Sequence, residues 1–411
     1  MRTVGLIVEY NPLHNGHLYH IQQSVKITGA DAVVAVMSGH FLQRGEPALA
    51  DKWARAEMAL RAGCDLVLEL PAAYSSQPAQ WFAHGAVAIL HATGVVDALC
   101  FGSESGDAET LVRIADRLAE EPEEVGGQLA RLLKEGLPYP AAYAEAVRRY
   151  LRAAGAGGDA EYRLDQPNHT LGLHYLLALR RLGSPIEPYS IRRERSEYSQ
   201  TTITDAAIAS ATALRQLLGQ SGQLADLAPY VPSSTLEILE REAREGRSPV
   251  TWESFSGPLL HQLYRADAAE LASYAEVTEG LEHRIVRSLS LLPERTVESL
   301  LDTLKTRRYT RTKLQRTLLR ILLGHRKEDL SAAALASGIG YIRVLGFTAT
   351  GRELLRRMKR TSAVPVVQSA ADGPWPYLAM DARATAVYSL AFSDSNPRLA
   401  MRDFTKPPVQ F

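Results

Sequence analysis

Four residues near the start of the chain, His14-Asn15-Gly16-His17, have the types and spacing needed to bind a phosphate group. They follow a short apolar run, Thr3–Val8, which is predicted to be a buried strand, and they precede residues 18–27, whose apolar spacing is helical. The start of a helix presents free backbone N–H groups and the positive end of the helix dipole, and both attract phosphate. Two histidines three residues apart share one face of the first turn, so both can reach the same phosphate.

The position of this H-x-G-H pattern carries more information than the pattern itself. A strand that ends in a tight turn and leads into a helix is the place where a mononucleotide-binding fold holds its phosphates. Gly16 lets the nucleotide approach the backbone without interference from a side chain. The chain has no G-x-x-x-x-G-K-[ST] loop, and no G-x-G-x-x-G follows the first strand, which disfavours kinases and dinucleotide-dependent dehydrogenases.

A second candidate phosphate element lies at residues 208–215. Ser210 and Thr212 offer hydroxyl groups near the start of a helix predicted over Asp205–Leu218, and Arg215 offers a bidentate guanidinium. The alternative is an alanine-rich packed helix with ordinary capping. In combination with the two histidines, we expect these side chains to contact the β- and γ-phosphates of a nucleotide.

Further candidates lie at the ends of predicted elements, where open α/β sheets bind their ligands. Gly102 follows the fourth predicted strand, Asn168 begins a helix, and Arg192 and Arg193 end a later strand. Arg44, in the polar loop after the second strand, is a candidate partner for a small carboxylate. For each arginine the alternative is a solvated surface charge.

The segment from Lys305 to Lys327 contains nine lysines and arginines and no acidic residue. The whole chain has 46 basic and 46 acidic residues, so this one-signed segment predicts a local contact with a nucleic-acid backbone. The alternative is a solvated basic helix face. The candidate contacts are Lys305, Arg307, Arg308, Arg311, Lys313, Arg316 and Arg320.

The composition is that of an ordinary globular protein, with 46% hydrophobic and 22% charged residues among 411. Cys64 and Cys100 lie in apolar runs without C-x-x-C spacing, so we expect both to be core residues of a protein in a reducing compartment. No apolar stretch has transmembrane length, and the N-terminus lacks a signal-peptide pattern. We therefore expect a cytoplasmic protein with no membrane partner. The remaining histidines lack ligand spacing, and no protein-bound metal site is predicted.

The order of the predicted elements defines the fold class. Alternating strand and helix patterns predict an N-terminal α/β domain over residues 1–220, Rossmann-like and built on a parallel sheet. Amphipathic helices then dominate, and residues 221–411 are predicted to form a mainly helical second domain. The predicted strands are Thr3–Val8, Ala32–Met37, Leu66–Leu70, Ala98–Phe101 and Ile186–Ile191. The principal predicted helices of the first domain are Gly16–Thr28, Asp51–Ala62 and Ala79–Ala92.

Several motifs, taken together and in order, resemble the tRNA(Met) cytidine acetate ligase family. They are GLIVEYNPLHNGHLYH, VMSGHFLQRGEPA, LVLELP, FGSE, QPNHTLGLHYLLAL, ASATALR and KTRRYTRTKLQRTLLRILL. The family belongs to the HIGH-motif nucleotidyltransferase superfamily. The resemblance implies that ATP and acetate are used to acetylate N4 of the wobble cytidine of elongator tRNA(Met).

The resemblance also implies an ATP site. Its residues would be Ile7, Val8, Glu9, Tyr10, Asn11, Pro12, Leu13, His14, Asn15, Gly16, His17, Leu18, Tyr19 and His20, with Gly102, Asn168 and Arg193, and Arg192 as a neighbour. The segment with Ser210, Thr212 and Arg215 would add phosphate contacts. One departure is His169, where the family pattern predicts a second asparagine.

The implied reaction has two steps. Acetate attacks the α-phosphate of ATP to give acetyl-adenylate and pyrophosphate, and the cytidine N4 amine then attacks the acyl carbon and releases AMP. Charge develops on phosphate oxygens, so positioning and electrostatic stabilisation should dominate catalysis. His14 and His17 would act as the catalytic donors, with Arg215 on the leaving group. Mg²⁺ is expected to accompany ATP, and no protein ligand is predicted for it.

Two rival interpretations remain open. An adenylyltransferase that makes a dinucleotide cofactor would use the same phosphate elements, but it offers no role for the extra residues and the basic segment. A non-catalytic RNA-binding protein on the same fold would not need both histidines and Gly16. The product formed from ATP distinguishes the three: acetyl-adenylate, a dinucleotide, or nothing.

Overall fold

A single eight-stranded sheet organises the chain in a computed structural model, which describes residues 1–193 and 209–411. The strands are β1 (Thr3–Val8), β2 (Ala32–Ser38), β3 (Leu66–Leu70), β4 (Ala98–Ser103), β5 (Glu187–Arg192), β6 (Ile342–Phe347), β7 (Val366–Val367) and β8 (Val409–Gln410). Their order across the sheet is β5-β4-β1-β2-β3-β6-β7, and β8 pairs with β6. The first five strands are mutually parallel, whereas β6 runs antiparallel to β3.

The five predicted strands are confirmed. β1 and β3 have the predicted bounds, β4 continues two residues further to Ser103, and β5 is displaced by one residue. Every residue of β2 and β3 is buried, as expected for parallel strands that helices cover on both faces.

Helices cover the sheet and form most of the second half of the chain. In the first half they are α1 (Asn15–Thr28), α2 (Lys52–Arg61), α3 (Ala72–Ser75), α4 (Ala79–Thr93), α5 (Ala108–Leu118), α6 (Glu123–Lys134), α7 (Tyr139–Ala153), α8 (Gly157–Ala160) and α9 (Pro167–Arg181). In the second half they are α10 (Ala211–Ser221), α11 (Ser233–Arg244), α12 (Ser256–Arg265), α13 (Ala268–Ser273), α14 (Leu281–Leu289), α15 (Val297–Leu304), α16 (Arg311–Leu323), α17 (Ala332–Ala336), α18 (Ala349–Thr361), α19 (Pro376–Tyr388) and α20 (Arg402–Thr405). None of these helices is long and apolar enough to cross a membrane.

Strand order locates the crevice in which such sheets bind ligands. The chain proceeds from β1 through β2 to β3 on one side and then returns to place β4 and β5 on the other. The direction therefore switches between β1 and β4, and a crevice opens at the carboxyl ends of these two strands. Both the H-x-G-H turn after β1 and Gly102 near the end of β4 lie at this edge.

The last part of the chain completes the sheet, so the sheet extends beyond the residues 1–220 to which it was predicted to belong. β6 pairs with β3, and the buried Lys52 Nζ donates to Glu69 Oε1 at 2.7 Å and to Asp403 Oδ1 at 2.9 Å. Buried charges are tolerated only with such partners, so α20 belongs to the core of the sheet. β6 is a short, mostly apolar segment interrupted by Arg343 and lying among helices, and its periodicity does not distinguish it from a buried helical turn. The division of the chain into two domains near residue 220 stays a prediction.

Most of the remaining helices pack around a separate apolar core. That core includes α12, α14, α15 and α16, and it also receives Phe41 from the loop after β2. The architecture is thus α/β, with a mostly parallel Rossmann-like sheet and a mainly helical second half, as predicted.

Candidate nucleotide-binding site

The H-x-G-H turn forms the amino-terminal cap of α1. His14 is the capping residue, and its Nδ1 accepts a hydrogen bond from the Gly16 backbone N–H at 3.1 Å. In return, the Nδ1 of His17 accepts a hydrogen bond from the His14 backbone N–H at 3.3 Å. A neutral imidazole whose Nδ1 accepts a hydrogen bond carries its proton on Nε2. The capping box therefore leaves both histidines with an Nε2–H donor.

Burial keeps these histidines neutral. It lowers the pKa of His14 to about 3, with a further contribution from the positive charges of Arg193 and Arg215. It lowers the pKa of His17 well below 6.5, and that of His20 to about 4. The rings of His14 and His17 stack with centroids 3.7 Å apart, which makes the protonation of both unfavourable. At neutral pH the turn presents uncharged donors rather than cations.

These histidines line a cavity of about 250 Å³ at the carboxyl edge of the sheet. Most of the predicted ATP-site residues line it: Ile7, Val8, Glu9, Tyr10, Asn11, His14, Gly16, His17, Tyr19, His20, Gly102, Asn168, Arg192, Arg193, Ser210, Thr212 and Arg215. The structure thus brings together residues from five segments: the turn after β1, β4, α9, the end of β5 and the start of α10.

Four predicted residues do not line the cavity: Pro12, Leu13, Asn15 and Leu18. Leu13 is fully buried in the core beneath the turn. Asn15 faces away, because its Nδ2 donates to the Pro229 carbonyl at 3.1 Å. A continuous segment around a turn necessarily points some side chains away from the ligand.

Other lining residues were not predicted. They are Leu42, Gln43, Glu46, Phe82, Phe101, Leu171, Tyr175, Ile191 and Ala211. Most are apolar side chains on buried elements, and in the sequence nothing separates them from ordinary core residues. Gln43 and Glu46 lie in the same polar loop as Arg44, which also lines the cavity. The polar composition of this loop was the feature of the sequence from which they could have been predicted.

The wall formed by β4, β5 and α9 is a hydrogen-bonded unit. Glu104 Oε1 accepts from Asn168 Nδ2 at 2.8 Å, and Asn168 Oδ1 accepts from Arg193 Nη1 at 3.4 Å. A Cβ at Gly102 would lie 3.2 Å from Arg193 Cγ, so glycine keeps this wall close to the floor of the cavity. His169 supports the same wall, since its Nε2 accepts from the Ser105 backbone N–H at 3.0 Å.

The opposite wall contains the second predicted phosphate element. Ser210 caps α10, and its Oγ accepts from the Ala213 backbone N–H at 3.1 Å. The predicted helical start at Asp205 lies outside the described residues. Arg215 Nη1 donates to the Asn11 carbonyl at 2.9 Å, and Arg215 Nη2 donates to Glu46 Oε2 at 2.9 Å. Arg215 is therefore held in place at the cavity by a carboxylate.

The basic segment lies next to this wall but differs from its predicted form. Gln315 Nε2 on α16 donates to Glu46 Oε1 at 3.3 Å, which joins the segment to the rim of the cavity. Arg316 Nε lies 3.0 Å from Glu276 Oε2, and Lys313 Nζ lies 3.5 Å from Glu279 Oε2. Acidic residues from outside the segment thus neutralise much of its charge.

The remaining candidates in the segment fall into three groups: paired, buried and exposed. Arg311 pairs with Glu298, and Arg308 pairs with Glu279. Arg320 is fully buried and donates to the Ser76 carbonyl at 2.5 Å, so its prediction as a backbone contact is wrong. Lys305 and Arg307 are exposed and have no acidic partner among the described residues.

Among the described residues, no group of three histidine, cysteine or acidic side chains could hold a metal ion.

A parallel sheet with two histidine donors at the end of its first strand defines a nucleotide-binding fold of the nucleotidyltransferase class. The profile of the family described as HIGH Nucleotidyl Transferase matches residues 1–403.

Known proteins resemble the chain over its whole length. The tRNA(Met) cytidine acetate ligase of Acetivibrio thermocellus is 40% identical over 99% of both chains, and that of Geobacillus sp. is 38% identical over 100% of both. A crystal structure of Thermotoga maritima TmcAL in its apo form has a TM-score of 0.93 at 36% identity, and covers 100% of both chains. A second structure of that protein, bound with alpha-thio ATP, has a TM-score of 0.90 at 35% identity and covers 100% of this chain and 99% of that one. The chain belongs to the tRNA(Met) cytidine acetate ligase family.

Proposed function

We propose that the chain uses ATP to activate acetate and then acetylates N4 of the wobble cytidine of elongator tRNA(Met). The observation that carries the proposal is the pair of neutral histidines at the switch point of the sheet, both with Nε2–H donors at the cavity. A relative of the same fold is described as bound to an ATP analogue, which supports nucleotide binding at this cavity. The names of full-length relatives support acetate and tRNA(Met) as the other substrates.

In the first step an acetate oxygen forms a bond to the α-phosphorus of ATP, and the bond from that phosphorus to the bridging oxygen breaks. Pyrophosphate leaves with the electron pair of that bond. Neutral Nε2–H donors at His14 and His17 would stabilise the charge that develops on the phosphate oxygens, without needing to release a proton. Arg215 would bind the leaving group. No described residue is assigned as a ligand of Mg²⁺, which would supply charge neutralisation at the phosphates when it accompanies ATP.

In the second step the cytidine N4 amine forms a bond to the acyl carbon of acetyl-adenylate, and the bond from that carbon to the phosphate oxygen breaks. AMP leaves with that electron pair, and the amine nitrogen loses one proton to solvent. The wobble base must enter the cavity, so the tRNA backbone must cross its rim. We propose that Lys305, Arg307 and Arg308, which directly precede α16, contact this backbone. Arg308 pairs with Glu279 but is itself exposed, whereas Arg311, Lys313 and Arg316 are partly buried beside their carboxylate partners and would contribute less. Residues 1–220 would then supply most of the ATP site, and the helices after residue 221 would supply the tRNA surface.

Acetate-dependent exchange of labelled pyrophosphate into ATP tests the first step. We expect exchange without tRNA and, once tRNA(Met) is added, N4-acetylcytidine detected by mass spectrometry. A dinucleotide product with a phosphorylated acceptor, and no acetate dependence, would favour an adenylyltransferase. Binding of tRNA without turnover of ATP would indicate a non-catalytic protein.

A further inference from the structure

The loop after β2 carries a tight turn into the cavity. The Gly45 N–H donates to the Leu42 carbonyl at 2.8 Å, and the Leu42 N–H donates to the Glu46 carbonyl at 2.9 Å. Gln43 and Arg44 occupy the tip between these bonds, and both line the cavity that contains the histidines. Leu42, at the base of the turn, lines the same cavity and adds apolar surface.

Contacts on three sides fix the position of this turn. The Gln43 backbone N–H donates to Glu9 Oε1 at 2.8 Å. Gly45 has a positive φ of 80°, and a Cβ there would lie 2.5 Å from the Arg316 backbone nitrogen, so the turn abuts α16. The buried Arg55 donates to the Glu9 carbonyl at 2.6 Å and to the Ser38 carbonyl at 3.1 Å. The tip is therefore presented to the cavity by a rigid support.

The position of the turn in the sheet separates it from Arg192 and Arg193. Arg192 and Arg193 lie at the end of β5, on the far side of the switch point from β2. A nucleoside bound at the switch point between β1 and β4 would occupy that side. Its α-phosphate would then lie over the turn after β1, open to an attacking group from the side of β2.

The charge around the turn also suits an anion. Among the described residues that line the cavity, Glu9 and Glu46 are the carboxylates, and both are engaged in hydrogen bonds. Glu9 Oε1 accepts from the Gln43 N–H and from Ser38 Oγ, while Glu46 accepts from Arg215 and Gln315. Their hydrogen bonds reduce the repulsion that a substrate carboxylate would meet.

We propose that Arg44 and Gln43 bind the carboxylate of acetate and hold it for attack on the α-phosphorus, with Leu42 against its methyl group. A guanidinium recognises a carboxylate through two parallel hydrogen bonds, and the Gln43 amide adds a third donor. No proton is transferred, because acetate attacks as the anion. This assignment rests on the proposed function.

The test measures the acetate KM in acetate-dependent ATP–pyrophosphate exchange for Arg44→Ala, Arg44→Lys and Gln43→Ala. We expect Arg44→Ala to raise the acetate KM by about 10–100-fold, because a hydrogen-bonded charged partner is lost. Arg44→Lys should raise it less, since it keeps the charge but loses the bidentate geometry. Gln43→Ala retains the backbone bond to Glu9 and should raise it by about 2–10-fold. The affinity for a non-hydrolysable ATP analogue should change less than about twofold, given that these contacts are made to acetate.

A matched control is Arg360→Ala, which removes an exposed arginine from α18 and should leave the acetate KM unchanged. Added guanidinium ion at low millimolar concentration should partly restore the acetate KM of Arg44→Ala, which a purely structural role would not produce. An unchanged acetate KM with a raised tRNA KM would place Arg44 on the tRNA backbone and overturn the assignment, as would a weaker affinity for ATP alone. If the unmodified chain shows no acetate-dependent exchange, the proposed function itself fails. If the unmodified chain shows normal exchange and the variants keep its acetate KM, only the acetate subsite is rejected.

Discussion

Two regions contain repeated groups of one chemical type, and they use them in opposite ways. At the H-x-G-H turn, His14, His17 and His20 line a cavity, and burial keeps them uncharged at neutral pH. Along the basic segment, cations are matched by Glu276, Glu279 and Glu298 from neighbouring elements. The first region presents its hydrogen-bond donors to a ligand. In the second region, ion pairs within the protein neutralise much of the positive charge.

The difference shows what a charge pattern can and cannot predict. Backbone hydrogen bonds from adjacent residues set the histidine geometry, so a short motif contains nearly all the information needed. The state of a cation depends on carboxylates that are distant along the chain, such as Glu276 beside Arg316. A window of sequence that contains no acidic residue is therefore not the same as a surface without acidic residues.

The largest expected effect concerns the histidine turn. His17→Ala removes an Nε2–H donor and should reduce acetate-dependent ATP–pyrophosphate exchange by about 10²–10³-fold, because an oxyanion donor is lost in the transition state. Circular dichroism and thermal unfolding would establish that the variant is folded. Near-normal exchange by a folded His17→Ala protein would remove His17 from the mechanism.

The next effect concerns the carboxylate side of the comparison. Glu276 lies 3.0 Å from Arg316 and 3.6 Å from the fully buried Arg320. Glu276→Ala should lower the free energy of unfolding by about 3 kcal/mol, because it leaves a buried cation without its partner. Urea denaturation measures this change. A control is Glu298→Ala, whose partner Arg311 is partly exposed and whose loss should cost less than about 1 kcal/mol. Equal costs for the two variants would contradict the assignment of a structural role to Glu276.

A third prediction separates the exposed cations that precede α16 from the partly buried cations on α16 itself. Replacing Lys305, Arg307 and Arg308 with alanine should weaken tRNA binding and make the slope of log K against log salt shallower by up to about 2–3, because phosphate contacts are lost. Acetyl-adenylate formation should be nearly unchanged, since it needs only ATP and acetate. Filter binding across a salt series measures the slope.

The matched control for that experiment carries the same change in net charge. Arg356, Lys359 and Arg360 are exposed on α18, which contacts the amino-terminal edge of the sheet through Thr348 and Asp65. Replacing these three cations with alanine should leave the salt slope close to that of the unmodified protein. A larger loss in the control than in the first variant would place the tRNA on α18 and reject the proposed surface.

Local features were predictable from the sequence, and long-range features were not. The strands β1 to β5 and the histidine turn depend on residues adjacent in the chain, and they were found. β6 was missed because its place at the edge of β3 depends on a partner that is more than 270 residues away. Phe82 and Tyr175 line the cavity although their apolar helices resemble any core helix. The burial of Arg320 depends on Ser76, which no local pattern in the basic segment reveals.

The smallest expected effect separates the two regions by pH. His20 has a native pKa of about 4, below the value near 6.5 expected in the unfolded chain. The unfolded state therefore binds more protons, and stability is full above pH 6.5 and falls as the pH decreases towards 4. Between pH 6 and pH 5, this proton uptake should lower the free energy of unfolding of the unmodified protein by about 1 kcal/mol. His20→Asn removes the uptake, so its free energy of unfolding should lack this decrease. Arg308 lowers the pKa of Glu279 below 4.5, so the stability from that carboxylate is present above pH 4.5 and lost only at lower pH. Glu279→Gln should thus keep a constant difference from the unmodified protein over the same interval. Urea denaturation at each pH measures both variants, and parallel curves for His20→Asn and the unmodified protein would show that His20 does not remain neutral in the folded state.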